Sequence, residues 1–325
     1  MASSTGLRFE LIEGWEQLPA GWEHPDAAAV AVDSHDRVFL LHRGEHPVII
    51  YDREGRFAGS WGDGQFTGQA HGITIGPDDM VYVTDRDHHT VRKFTPDGVL
   101  LMTLGTPLAP SNTGATGPDF RTITQAAGPF NCPTNLALAA DGDLYVSDGY
   151  ANARVHRFSA AGELKQSWGS PGTGPGEFNL VHGIAVAADG RVFVCDREND
   201  RIQIFSPAGE YLSQWTDVQR PSQIVFDAQS RAYVSELPWP RGGATGHGTT
   251  ADKDLPGRVS IFDLDGQVLG RLGNPDPHAS TSVAAPHGLA IDSHGDLYVA
   301  EVAATGARQG WIPEGCRTFQ KFAVS

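Results

Sequence analysis

The apolar residues of this chain fall into short runs, broken at close intervals by Asp, Gly and Pro. Leu7-Arg8-Phe9-Glu10-Leu11-Ile12 alternates apolar and polar positions, the pattern of a strand buried on one face. A fuller unit begins near Trp22. It holds Ala29-Val30-Ala31-Val32, a turn at Asp33-Ser34-His35-Asp36, Val38-Phe39-Leu40-Leu41, Val48-Ile49-Ile50-Tyr51, a second turn at Asp52-Arg53-Glu54-Gly55, and a last strand ending at Trp61. The order returns from His71, with turns at Gly76-Pro77-Asp78-Asp79 and Pro96-Asp97-Gly98, where Pro presets the corner and Gly accepts positive φ. Further units span residues 130–169, 178–215, 221–273 and 286–325.

Six units of about four strands predict an all-β fold, a six-bladed β-propeller. The last unit reads as three strands only, so residues 7–12 are expected to pair into it as the fourth, removing the open edge. Residues 1–325 are then one domain. Two Ser/Thr/Gly/Pro-rich insertions, at about 106–129 and 238–256, are expected to wall the functional face.

Composition supports this reading: 39 Gly and 21 Pro fit many tight turns, and no long helical period competes. A net charge of −15 without a basic run argues against nucleic acid or an anionic membrane as partner and leaves a small-molecule substrate. No feature of the sequence sets an oligomeric state. Residues 1–6 have no basic or apolar leader character, and no apolar run approaches the roughly 18 residues of a membrane span. Cys132, Cys195 and Cys316 are odd in number and form no CxxC pair, which suggests reduced thiols. A cytoplasmic location is the expectation.

One element of the repeat carries chemistry. His71-Gly72-Ile73, His182-Gly183-Ile184 and His287-Gly288-Leu289 open the inner strands of the second, fourth and sixth units, 111 and 105 residues apart. The equivalent positions of the other units are Ala28, Thr134 and Ser222. In a six-fold ring, alternating blades would bring three imidazoles to the axis. Three His with an open fourth position are a catalytic zinc set; the competing reading is that each His only fills the repeat and bonds a neighbouring blade. The second strand of each unit returns to the same face and ends in Arg43, Arg86, Asp148-Gly149-Tyr150 or Arg197. Arg43, Tyr150 and Arg197 are the pocket candidates, with Tyr150 a base beside a cation. Asp85, Asp148 and Asp196 read as structural caps of the loops that follow, and on spacing alone Arg86 and Arg197 read equally well as rim salt-bridge residues.

The strings Phe39-Leu40-Leu41-His42-Arg43-Gly44-Glu45-His46, Asp148-Gly149-Tyr150-Ala151-Asn152-Ala153-Arg154, Asp196-Arg197-Glu198-Asn199-Asp200-Arg201-Ile202-Gln203 and Pro286-His287 resemble the catalytic core of the peptidyl-α-hydroxyglycine α-amidating lyases, propellers of NHL-type repeats. The resemblance covers nearly the whole ring. It implies one catalytic zinc on His71, His182 and His287, Tyr150 as base, and Arg43 and Arg197 in the substrate pocket. The implied reaction splits the C–N bond of an N-acyl-α-hydroxyglycine into an amide and glyoxylate. Three departures stand out. Ala285 replaces a pocket methionine beside the last His and reshapes the pocket. Gly288 replaces an aspartate that in the family helps hold a structural calcium, which argues against that ion. Ala151 replaces a disulfide cysteine, which speaks against secretion and for a small carbinolamide over a peptide hormone. Zinc-dependent hydrolysis or hydration, and a non-catalytic binding scaffold, stay open as alternatives.

Overall fold

The computed structural model describes residues 7–243 and 251–325. The expectations placed on residues 1–6, and on 244–250 of the second insertion, lie outside the described residues. Six four-stranded antiparallel sheets account for nearly all the regular structure, each with its strands in chain order except the last. The fold class is a six-bladed β-propeller. In the last sheet the order is Phe9–Leu11, Phe319–Val324, Leu297–Glu301, Pro286–Ile291, so the N-terminal strand supplies the fourth strand as expected. Its register pairs Phe9 with Val324 and Leu11 with Phe322.

Within a blade the burial gradient follows the sequence. Second strands such as Val38–His42 and Val192–Asp196 are buried at every position, whereas outer strands such as Tyr211–Trp215 are exposed except for their last residue. The three inner strands of a blade thus form the core, while the outer strands stay exposed whatever their composition, with Phe57, Leu100, Leu101, Leu164 and Leu212 among their exposed residues.

The described residues form two compact units, one of residues 7–68, 225–243 and 251–325, the other of residues 69–224. In the first, Trp15 packs edge-on against Tyr298 and Phe319, with ring centroids 5.2 and 5.8 Å away, and its Nε1 donates to the Arg53 carbonyl at 2.9 Å. In the second, Trp168 packs with Tyr145, Phe178 and Phe205. A short helix, Ala303–Arg308, interrupts the last blade where the sequence offered no signal; six residues are too few to show a helical period. Thr305 in this helix donates through N and Oγ1 to the Asp26 carboxylate, at 2.8 and 2.6 Å. The first insertion has no strand. It is tied down by Asn131, whose Nδ2 donates to the Ser111 carbonyl and to Thr113 Oγ1, and by Asn152, whose amide exchanges bonds with the Ala127 backbone. All three cysteines are buried, and no disulfide joins them among the described residues. No helix among the described residues is long and apolar enough to cross a membrane.

Candidate active site

The positions aligned by sequence share one structural device. His71, Thr134, His182, Ser222, His287 and Ala28 are each the second residue of an inner strand. In the strands carrying His71, Thr134, His182, His287 and Ala28 the ladder register shifts at that residue. Such a bulge re-aims a side chain out of the pleat.

Each histidine then leans on the next blade. His71 Nδ1 meets the Thr134 carbonyl at 2.8 Å and His182 Nδ1 the Ser222 carbonyl at 2.6 Å. In the other unit His287 Nδ1 meets the Ala28 carbonyl at 2.6 Å. The glycine after each histidine makes this approach possible. A Cβ on Gly72 would lie 2.7 Å from the Thr134 oxygen, on Gly183 2.7 Å from the Ser222 oxygen, and on Gly288 2.5 Å from Ala29 Cα.

A carbonyl at Nδ1 fixes the tautomer: the proton sits on Nδ1, and Nε2 presents its lone pair. His71 and His182 are buried, and their ligand nitrogens lie within 4.8 Å of one another. Both Nε2 atoms face the Tyr150 hydroxyl, at 3.3 and 3.4 Å. Two lone pairs thus converge on an oxygen that carries a single proton, a donor set that suits a cation. His, with Nδ1 held by a backbone acceptor, is a common zinc ligand, so these residues fit the metal the sequence pointed to.

Tyr150 is held between arginines of the blades on either side. The guanidinium carbons of Arg86 and Arg197 lie 5.0 and 5.3 Å from its ring centroid, and Arg197 Nη1 donates to its hydroxyl at 3.1 Å. Arg197 opens the 3-10 turn Arg197–Asn199 and is buried, as are Glu198 and Arg220. Glu198 Oε1 accepts from Arg197 Nε at 2.7 Å and from Arg220 Nη2 at 3.2 Å. Burial alone would raise the Glu198 pKa; Arg197 and Arg220 outweigh it and hold the carboxyl below its ordinary value. Burial likewise works against the charge of Arg197, but Tyr150 and Glu198 carry its pKa above the usual value. At Arg220 burial dominates and the pKa is lowered.

The structure thus brings His71, His182, Tyr150 and Arg197 together in one unit. Arg43, Ala285 and His287 lie in the other. Arg43 follows Val38–His42 and donates from Nη1 to Thr305 Oγ1 at 3.4 Å. Ala285 is fully buried with Leu237 and Val302, against Trp311 and Ile312. The three aspartates are structural, as read from the sequence. Asp148 accepts from Asn131 N, Asn152 Nδ2 and His156 Nε2; Asp196 accepts from Asn179 N, Asn199 Nδ2, Arg201 Nε and Gln203 Nε2. Asp85 accepts from His88 N and Arg92 Nη2. Arg86 makes the salt bridge read from the sequence, Nε to Asp87 Oδ1 at 2.8 Å, and also lies over the Tyr150 ring, whereas Glu198 and Arg220 were not singled out at all. The signal for Glu198 was its place beside Arg197; Arg220 offered none.

Comparison with known proteins agrees with this architecture. A family model described as NHL repeat matches residues 67–94, 130–158 and 178–205, the second to fourth blades. NHL repeat-containing protein 3 of Mus musculus is 30% identical, over 95% of this chain and 86% of that protein. Peptidyl-alpha-hydroxyglycine alpha-amidating lyase 1 of Drosophila melanogaster is 28% identical, over 76% of this chain and 45% of its own length. Among solved structures, a gluconolactonase from Xanthomonas campestris superposes with a TM-score of 0.61 at 14% identity, covering 93% of this chain and 87% of that one, a likeness of fold. Fold and repeats define an NHL-repeat β-propeller. The chain belongs to the family of NHL repeat-containing protein 3, and the resemblance to amidating lyases holds at the level of that wider group.

Proposed function

We propose that this protein is a zinc-dependent carbon–nitrogen lyase for a small carbinolamide of the N-acyl-α-hydroxyglycine type. The observation that carries the reading is the Tyr150 hydroxyl, set within 3.4 Å of two histidine Nε2 atoms and 3.1 Å from an arginine. The relationship to proteins named amidating lyases supports the same reaction class. His71, His182 and His287 would hold the ion, each with Nδ1 already committed to a backbone carbonyl. When bound, zinc supplies Lewis acidity toward a substrate oxygen.

The protein's own groups do the rest. Tyr150 takes the proton of the α-hydroxyl, with Arg197 stabilising the phenolate form by charge. The O–H electron pair becomes the carbonyl of glyoxylate, the C–N pair goes to nitrogen, and the nitrogen takes up a proton as the amide departs; no oxidant or reductant is consumed. Arg197 and Arg43 bind the substrate carboxylate, where paired N–H groups match its geometry. Ala285, fully buried against Trp311 and Ile312, precedes the strand that carries His287 and supports it by packing.

The test joins metal analysis to product analysis. The purified protein should contain one zinc per chain, lost with His182→Ala, and should release glyoxylate from a member of an N-acyl-α-hydroxyglycine panel. No glyoxylate alongside turnover of an ester or lactone would replace the lyase by a zinc hydrolase. No zinc and no effect of His182→Ala would leave a binding scaffold.

A further inference from the structure

The buried group Arg197–Glu198–Arg220 holds two guanidinium groups and one carboxylate, with exposures of 6, 5 and 4%. Both cations bond the same oxygen, Glu198 Oε1. Backbone bonds fix the carboxylate's own position, because Glu198 N donates to the Asn179 carbonyl at 3.0 Å and Arg197 N to the Leu180 carbonyl at 3.1 Å. Arg220 is fixed in turn by its N–H, which donates to Asp200 Oδ1 at 2.7 Å. A guanidinium is planar, so fixing Nε of Arg197 also fixes where its two terminal nitrogens point. Its Nη1 points at the Tyr150 hydroxyl.

We propose that Glu198, anchored by Arg220, is the positioning residue of this site: it turns Arg197 toward Tyr150, and by compensating one of two buried positive charges it tunes the site to an anionic, carboxylate-bearing ligand. This rests on the lyase reading for the identity of the ligand but not for its charge. Glu198 against Arg197 and Arg220, and Asp87 against the Arg86 that lies over the Tyr150 ring, leave these five groups with one positive charge in excess, which a neutral ligand does not match. Replacing Glu198 by glutamine exchanges a charged acceptor of two guanidinium groups for an uncharged amide oxygen beside an NH2 donor, so Arg197 Nε is held less firmly and the guanidinium loses its aim even though the positive charge grows.

The experiment uses two unreactive probes that differ in charge, hippurate (N-benzoylglycine) and its neutral amide hippuramide, titrated calorimetrically into the purified protein. Wild type should bind hippurate at least about tenfold more tightly than hippuramide, since charged hydrogen bonds are roughly twice as strong as neutral ones. Glu198→Gln should reduce this ratio to about threefold or less, and Glu198→Asp should restore part of it. In an Arg197→Ala background Glu198→Gln should change hippurate binding by less than about twofold, because its effect passes through Arg197. If Glu198→Gln does not fold, Arg220→Gln is read in its place with the same expectation. Equal or undetectable binding of the two probes by wild type, equal loss for both probes in the variant, or losses at Glu198 and Arg197 that simply multiply, each overturns the proposal. A protein that discriminates the probes as expected but releases no glyoxylate retains the positioning role and loses the lyase reading.

Discussion

Gly183→Ala tests the link between the His-Gly pair and the proposed metal site. The added methyl would lie 2.7 Å from the Ser222 carbonyl oxygen and 2.8 Å from Gln223 Cα, both backbone atoms that no rotamer change can move. Restoring an ordinary separation of about 3.5 Å requires the two inner strands to part by about 0.7 Å. The bond from His182 Nδ1 to the same carbonyl, 2.6 Å in the native protein, then stretches to the edge of hydrogen-bonding distance. Overpacking costs about 1–3 kcal/mol, offset by about 0.4–1 kcal/mol from the stiffer unfolded chain, so urea denaturation of metal-free protein should show a loss of about 1–2 kcal/mol. Losing the partner that orients a metal-ligating His should weaken zinc binding about 10–100-fold, measured by competition with a chromophoric chelator. Stability within about 0.5 kcal/mol of wild type together with zinc affinity within about twofold would refute the reasoning at both steps.

Tyr150→Phe should lower kcat by about 10²–10⁴ while zinc content by elemental analysis stays the same, because it removes the hydroxyl and leaves the three histidines; an unchanged kcat would remove Tyr150 as base. Ala285→Met places a long side chain where Leu237, Val302, Trp311 and Ile312 already close around a fully buried methyl, so denaturant unfolding should show a loss of about 1–3 kcal/mol. Trp15→Ala empties the space among Tyr51, Tyr298 and Phe319 and should cost about 3–5 kcal/mol by the same measurement. His42 gives a pH dependence: burial, with the neighbouring His24 charge, lowers its pKa from 6.5 to about 4. The unfolded chain therefore binds this proton first, so the stabilisation is full above pH 6.5 and is lost as pH falls toward 4, a loss of order 3 kcal/mol. Urea midpoints of wild type and His42→Asn compared at pH 7.5 and 4.5 check it; equal slopes with pH would rule it out.

Much of the fold was legible because the propeller writes its period into the chain. Buried inner strands opened and closed by Asp- and Gly-containing turns recur along the chain, and the missing strand of the last blade had one visible donor in residues 7–12. The helix Ala303–Arg308 was not legible, since six residues of Ala, Thr, Gly and Arg carry no amphipathic stripe. At the site, the alignment of the histidines with Ala28, Thr134 and Ser222 was readable, but the use made of those three was not. They serve through their backbone carbonyls, and a carbonyl leaves no mark on residue type. Glu198 and Arg220 were hidden for a different reason: they are 22 residues apart, and Arg220 belongs to a connection outside the repeat.

Tyr150 shows how one irregularity in a repeat can create the reactive position. After the second strand of the first, second and fourth blades the next residue is Arg43, Arg86 or Arg197, and its N–H donates back to the carbonyl of Asp26, Gln69 or Leu180. In the third blade Gly149 occupies that place and makes the same bond to the Cys132 carbonyl. A Cβ there would lie 1.6 Å from the Val181 carbonyl oxygen, so no arginine fits, and the first side chain that can leave this turn is that of the following residue. The one-residue displacement carries Tyr150 to the nitrogens of His71 and His182, while the unshifted arginines on either side remain to flank its ring. Glycine at 149 is thus part of the site although it offers no functional group. Reverting the turn to the arginine pattern of its neighbours would remove the phenol from the histidines and place a third guanidinium where the backbone of the next blade now stands.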